Sequence, residues 1–411
     1  MNDDLEDVLR RTLGHASQRA PQAPSNLSSQ VMTHSIRRRT RVQTLVAALA
    51  VAVVASGAVV TVRGAGDDPA PPVVNPTQAP SSVTATPSPS GKQAFVTPEP
   101  IEKVWPQAVW KIPAKLPGIR KYQPRIFIDD RTLLLETWGS FEKADAIYAY
   151  DLDSGQVRKI ADIRTPKGVF SSGYTAGAGR IVWQTVDEVD GNGVTEFWSV
   201  PITGGQPTVI NTAGPVKGVG EHLTVVGDKL AFSLFEGGVF TIPLGGGTVE
   251  PVAGADRHHI LRWPWVGTPG EYAQNHETSF EDLLNVETGE TSKAVVRPGE
   301  QNVRCGVTTC VGERPGSPSF YRLRDGSQER DLPGSAFRGL AADRFQTVFS
   351  PVPRGGQYLI DLVTGESGDL GLSPPGAKGQ SIVVQLGIGD SRLVSYPIKD
   401  EHVVIDLAKI R

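Results

Sequence analysis

From about residue 101 to the end of the chain, apolar and polar residues alternate in short runs separated by Gly, Asp, Asn and Pro. Alternation at period two puts every second side chain on one face of a sheet, so each run predicts a short strand. One element recurs: a strand, a tight turn at Asp or Gly, and a short returning strand. Its copies are IYAYDLDSGQVRKI (147–160), FWSVPITGGQPTVI (197–210), VFTIPLGGGTVEPV (239–252), LLNVETGETSKAVV (283–296), FYRLRDGSQERDL (320–332) and YLIDLVTGESGDL (358–370). Their turns begin at Asp151, Pro201, Pro243, Val286, Leu323 and Leu362, a period of about 40 residues, which is the length of a four-stranded propeller blade.

Strands of suitable length precede the copies: RIFIDD and TLLLETWG before the first, GRIVWQTV before the second, HLTVVG and KLAFSLF before the third. The last unit offers SIVVQLG, RLVSYPI and HVVIDL and then stops. QAVWKIP (107–113) resembles the outer strand QVRKIAD (156–162) of the first unit and is predicted to complete the last blade. Such closure removes an exposed edge. The expectation is an all-β, closed β-propeller over residues 101–411, with seven four-stranded blades. Six or eight blades remain open, because the fourth unit, EYAQNHETSFEDLLNV, alternates poorly and its loop at 269–282 has room for a helix. A two-sheet sandwich accounts for the strands but not for their period, and a large α/β enzyme would need intervening helices.

The first hundred residues follow another pattern. Residues 42–62, VQTLVAALAVAVVASGAVVTV, carry no charge. As a helix they would run about 31 Å, matching a hydrocarbon core of roughly 30 Å. A transmembrane helix is the leading reading; a cleavable signal peptide competes with it, on the small residues Ala55, Gly57 and Ala58. Arg37, Arg38, Arg39 and Arg41 crowd one flank, whereas Arg63 is followed by Asp67 and Asp68 on the other. This asymmetry predicts a cytoplasmic N-terminus and an extracellular remainder. Residues 1–41 then form a cytoplasmic tail, in which Leu5, Val8, Leu9 and Leu13 mark either a docking helix or a short, partly ordered stretch. The Pro/Ser/Thr-rich residues 63–100 have too little apolar surface to fold and predict an extended, disordered stalk.

Composition adds limits. With 41 Lys and Arg against 44 Asp and Glu, the chain lacks the basic footprint of a nucleic-acid binder. Its two cysteines, Cys305 and Cys310 in NVRCGVTTCVGE, would face each other across a hairpin base, about 4.5–5.5 Å apart, and predict a disulfide. Such a bond suits an oxidising compartment. His258 and His259 would point to opposite faces of a strand, so they make a poor metal pair. One could serve as a base with Asp256 or Asp190, but no nucleophile is tied to it. Trp263 and Trp265 flank Pro264 and either pack between blades or line a ligand surface. DEVDGNGVTE (187–196) lacks the spacing of a calcium loop and reads as a turn. Gly204, Gly205 and Gly245 to Gly247 recur at turns with no following helix, unlike a phosphate loop. No catalytic, metal or cofactor residue is assigned.

The DLDSG (151–155) and DLVTG (361–365) turns resemble those of bacterial TolB-like and WD40-like propellers, although the Gly-His and Trp-Asp landmarks of true WD40 repeats are missing. The order of tail, span, stalk and propeller also resembles membrane-anchored actinobacterial proteins. These resemblances imply an extracytoplasmic module, anchored in the lipid bilayer through residues 42–62, that binds or senses a protein, peptide or glycan. Two alternatives are a hydrolase or lyase with its site in the propeller funnel, and an envelope scaffold.

Overall fold

The computed structural model describes residues 97–411 except 120, 141–142, 164, 167–168, 190–191, 274–276, 351–354, 373–381 and 390. The tail at 1–41, the span at 42–62, the stalk up to residue 96 and Asp190 lie outside the described residues. Among those described, no helix is long and apolar enough to cross a membrane.

Seven sheets follow one another along the chain, antiparallel except for one short pairing in the sixth. The first blade is Tyr122–Phe127, Thr132–Ser140, Lys143–Asp151 and Val157–Asp162. The second is Phe170–Gly177, Arg180–Val189, Asn192–Pro201 and Thr208–Val209, with Val216–Lys217 also paired to its third strand. The third is Gly220–Val226, Lys229–Leu234, Val239–Pro243 and Glu250–Pro251. The fourth is His259–Arg262, Trp265–Thr268, Asp282–Asn285 and Thr291–Lys293, and no helix is found among the described residues of its 269–281 loop. The fifth is Gln301–Cys305, Thr309–Glu313, Phe320–Leu323 and Arg330–Asp331; the sixth is Leu340–Ala341, Phe345–Ser350, Gly356–Asp361 and Ser367–Asp369. The seventh joins Leu393–Ile398 and Glu401–Asp406 to Val109–Pro113 from the other end of the domain. The predicted closure is therefore formed, with Val109 opposite Ile405 and Pro113 opposite Glu401.

The core is a ring of layers between blades, and strand alternation explains it. Ile181 and Trp183 point back to Leu134 and Ile147 of the first blade, while Val182 between them points forward to Leu223 and Phe232 of the third. The repeated turn residue has a definite task. Asp151 accepts hydrogen bonds from the amides of Asp153 and Ser154, Asn285 from those of Glu287 and Thr288, and Asp361 from that of Val363.

A short helix, Ile101–Val104, leads into the closure. Ahead of it, Glu99 accepts the Asp369 amide at 2.8 Å, so the last residues assigned to the stalk already belong to the propeller. Ile101 is buried against Gly368, and Trp105 Nε1 donates to Glu366 at 3.3 Å.

The seventh blade departs from the expected pattern. SIVVQLG does not form its first strand: residues 382–387 are irregular, and Ile388–Gly389 pairs in parallel with Leu340–Ala341 of the sixth blade. Buried polar groups of that blade explain the transfer. Gln357 donates to the Val384 carbonyl at 2.5 Å and accepts its amide at 3.2 Å, and Thr347 Oγ1 donates to the same carbonyl at 3.1 Å. Left without Val384, both side chains would be buried unpaired, at a cost of about 1–3 kcal/mol each.

Candidate functional site

Each blade's first-to-second and third-to-fourth turns lie on one face of the ring, here the lower face. The second-to-third turns and the links between blades lie on the other, the upper face. Gly389 approaches the fourth blade across the centre: a Cβ there would lie 2.1 Å from the Leu261 carbonyl oxygen, and the φ of +105° is itself one that side chains avoid. Ile388 packs with Leu261, Phe280 and Leu283. Ile388–Gly389, paired with the innermost strand of the sixth blade, thus reaches the innermost strand of the fourth. At the lower end of the centre Leu261, Arg262, Gly306, Val307, Asp343 and Gly389 come together with no room for a water between them. There Asp343 accepts the Thr308 and Thr309 amides at 2.7 and 3.1 Å, and burial raises its carboxyl above the ordinary range.

A polar residue recurs at the fifth position of the second strand in the first three blades; the first two tie their blades directly to the next, and the third does so through Glu221 of its own blade. Glu136 accepts from Ser171 Oγ and the Tyr174 hydroxyl, both at 2.7 Å, and from Arg125 Nε at 2.6 Å. Burial, with Glu136 nearby, pushes the Tyr174 hydroxyl well up. Gln184 donates to the Gly220 carbonyl at 2.7 Å. Ser233 meets Glu221 at 3.5 Å, and Glu221 binds His259 Nδ1 at 2.6 Å. The first two ties are buried and structural, whereas the side chains of Glu221 and His259 each keep 12% of their surface exposed at the upper end of the centre.

Glu221 stands between the hydroxyl and the imidazole, so Ser233 is not activated by His259 in the manner of a hydrolase triad, which needs the imidazole in the middle. The arrangement can accept a ligand's hydrogen bonds. Beside it lies an aromatic shelf. Gly270 packs against the His259 ring, and two residues on, Tyr272 stacks with Phe235, ring centres 5.8 Å apart and planes at 26°. The Phe235 amide donates to the Val219 carbonyl at 2.8 Å, which holds the shelf next to Glu221.

The long hairpin of the second blade rises alongside. Arg180–Val189 and Asn192–Pro201 overrun Lys229–Leu234 and Val239–Pro243 of the third blade by several residues, or roughly 13 Å at about 3.3 Å each. On the lower face, a cleft of ≈ 680 Å³ is lined by Gln107, Asp130, Arg392, Ala408, Lys409 and Arg411. Arg392 is committed there to Asp406 and Asp130, each at 2.7 Å, and Lys409 to the Asp130 carbonyl.

The sequence-derived candidates divide. Cys305 and Cys310 are directly paired and disulfide-bonded, with Cα atoms 4.0 Å apart, closer than the spacing expected. The Gly306 amide bonds to the Thr309 carbonyl, so the next pair outward is of the close, non-hydrogen-bonded kind. His259 does reach a carboxylate, but that of Glu221 rather than Asp256. His258 is held below its ordinary range by burial and by neighbouring His259. Trp263 packs with the fourth-blade core and donates to Glu287 at 2.9 Å; Trp265 joins the cluster around Leu261. DEVDGNG spans the connection between Arg180–Val189 and Asn192–Pro201. Glu221, Phe235 and Tyr272 were not singled out in the sequence, since they come from two blades and share no spacing; only an aligned repeat register would flag them. Among the described residues, no three His, Cys, Asp or Glu side chains converge as metal ligands.

No family model matches the sequence, and no curated protein matches it. Among solved structures it is similar to an acylaminoacyl peptidase in complex with Z-Gly-Gly-Phe-chloromethyl ketone, at 14% identity and a TM-score of 0.42, over 70% of this chain and 50% of that one. The chain thus spans half the length of that peptidase. It is also similar to an oligogalacturonate lyase in complex with manganese (12% identity, TM-score 0.32, 71% and 77% covered). A third is the β-propeller domain of the Trilobed protease from Pyrococcus furiosus (14% identity, TM-score 0.38, 67% and 87% covered).

Proposed function

We propose that this protein is a membrane-anchored, extracytoplasmic binding module that presents the upper face of its propeller to a protein, peptide or glycan ligand. The observation that carries this reading is the segment Ile388–Gly389, which narrows the centre by reaching from the sixth blade to Leu261 of the fourth. The upper face beside it offers the Phe235–Tyr272 shelf next to Glu221 and His259. The Cys305–Cys310 disulfide supports the compartment, because such bonds persist where the surroundings are oxidising. In this reading residues 42–62 span the bilayer, residues 1–41 stay inside, and residues 63–100 carry the propeller away from the surface.

Two measurements test it. Protease added to intact cells should digest the propeller and spare an N-terminal epitope; protection of both ends sinks the topology. The full-length chain should capture one stoichiometric partner from envelope extract, and Phe235→Ala with Tyr272→Ala should lose it. Equal capture by the double variant removes the upper face from the proposal.

A further inference from the structure

We propose that residues 99–113 act as a force-operated latch: tension on the preceding chain detaches them as a unit and uncovers the Glu401–Asp406 strand for another extended polypeptide. This inference rests on the anchored reading, in which residues 42–62 supply the fixed point.

The latch lies in the path of any pull. Residues 1–96 are joined to the ring covalently through it, so tension reaches it before any blade. It is held in three places. The Glu99 carbonyl accepts the Asp369 amide on the outer strand of the sixth blade. Ile101, Trp105 and Ala108 are buried with Leu370, Val403 and Ile405, and on the outside Lys111 Nζ meets Glu102 at 2.9 Å. Val109–Pro113 then pairs with Glu401–Asp406. The ladder runs one residue further at each end, where the Ala108 carbonyl accepts the Asp406 amide at 2.9 Å and the Ala114 amide donates to the Asp400 carbonyl at 2.8 Å.

The order of failure follows from the pairing. Among the described residues Val109–Pro113 has a strand partner on one side only, whereas Glu401–Asp406 is paired on both, with Val109–Pro113 and with Leu393–Ile398. A pull on the outer strand has one ladder to break, and a pull on the strand inside it has two. The outer one leaves first. Its departure bares the backbone edge of Glu401–Asp406 and the apolar Val403 and Ile405 that the latch helps to bury. Such an edge accepts an extended strand through its main chain. The occupant that fits is one with the alternation of the departed segment, VWKIP.

The test stretches single full-length chains in neutral-detergent micelles, with DNA handles on azide-bearing residues in place of Ser90, in the tether, and of exposed Glu236, on the upper face. Two steps are expected. The first, reversible step frees the fifteen residues from Glu99 to Pro113, a contour of roughly 50 Å at about 3.5 Å each, and rupture of the ring follows. Trp105→Ala should lower the force of the first step and leave the second unchanged. A Cβ on Gly368 would lie 3.1 Å from that of Ile101, close to the reach of a disulfide. Ile101→Cys with Gly368→Cys, once oxidised, should therefore abolish the first step. A synthetic peptide QAVWKIP, copying residues 107–113, should keep the first step from reversing when the load is relaxed, and a Gly-Ser peptide of equal length should not. A single rupture of the whole ring, a first step of another length, or an unchanged first step in the oxidised variant overturns the inference. So does full reversal in saturating QAVWKIP. None of these outcomes bears on topology: the protease assay on intact cells tests the anchor, and stretching tests the latch.

Discussion

At the scale of single residues, the carboxylates that close the repeated turns also fix how the protein responds to acid. Asp361 is fully buried, and burial, the largest influence on it, pushes its carboxyl upward. Hydrogen bonds from Arg344 Nε at 2.7 Å and Nη2 at 2.5 Å, from Thr364 Oγ1 at 2.8 Å and from the Val363 amide together outweigh this and leave it lowered. The unfolded chain therefore takes up the proton first as pH falls. The stabilisation is complete above the ordinary Asp range, about 3.9, and drains away as pH drops toward the native value. Asp361→Asn should cost about 1–3 kcal/mol at neutral pH and should flatten the loss of stability below about pH 4, as followed by urea midpoints. An unchanged acid slope would remove Asp361 from this account. The Asp of DLVTG was legible because a turn needs an Asx side chain there; its Arg344 partner, seventeen positions earlier, was not.

Gly306 shows the limit more sharply. Nothing local in CGVTTC marks it, yet a Cβ at this position would lie 1.9 Å from Asp343 Oδ1, the carboxylate that receives the Thr308 and Thr309 amides from the neighbouring blade. Gly306→Ala must push the two blades apart or break those bonds, and should lower stability by about 1–3 kcal/mol in the same urea measurement. A neutral result would mean that the fifth and sixth blades do not lean on this contact.

At the scale of elements, the fifth-blade hairpin carries a covalent tie at its base. Cys305 and Cys310 are both fully buried, among Ala294, Val303 and Phe320. The loop they close is short, so chain entropy gives about 2 kcal/mol at most. Cys305→Ala with Cys310→Ala should lower the unfolding free energy by about that much without changing the fold, and a larger loss would point to packing rather than to the cross-link. This pair and the turn period were readable because each depends on residues close in sequence. The exchange of Ile388–Gly389 to the sixth blade was not. SIVVQLG has good strand alternation, and what overrides it is Gln357 and Thr347, two buried polar groups in another blade that require Val384 as a partner. The upper-face site was hidden for the same reason: Glu221 and Phe235 come from the third blade, His259 and Tyr272 from the fourth, and only the ring brings them together.

At the scale of the whole molecule, the ring is fastened by residues 99–113. Glu99 holds the outer strand of the sixth blade, Trp105 reaches Glu366, and Val109–Pro113 becomes the outer strand of the seventh. Ile112 is buried with Tyr122, Leu133 and Val404, so this segment joins three blades. A chain beginning at Thr97 should keep one cooperative thermal transition. A chain beginning at Ala114 loses the burial of Ile112, worth about 2–3 kcal/mol, together with a row of strand hydrogen bonds. It also exposes the Glu401–Asp406 strand as an apolar edge, the kind that pairs with other chains. It should therefore melt at lower temperature and associate in size-exclusion chromatography. If the two chains melt alike as monomers, the ring holds without its fastening strand, and the closure predicted from QAVWKIP would be a contact without energetic weight.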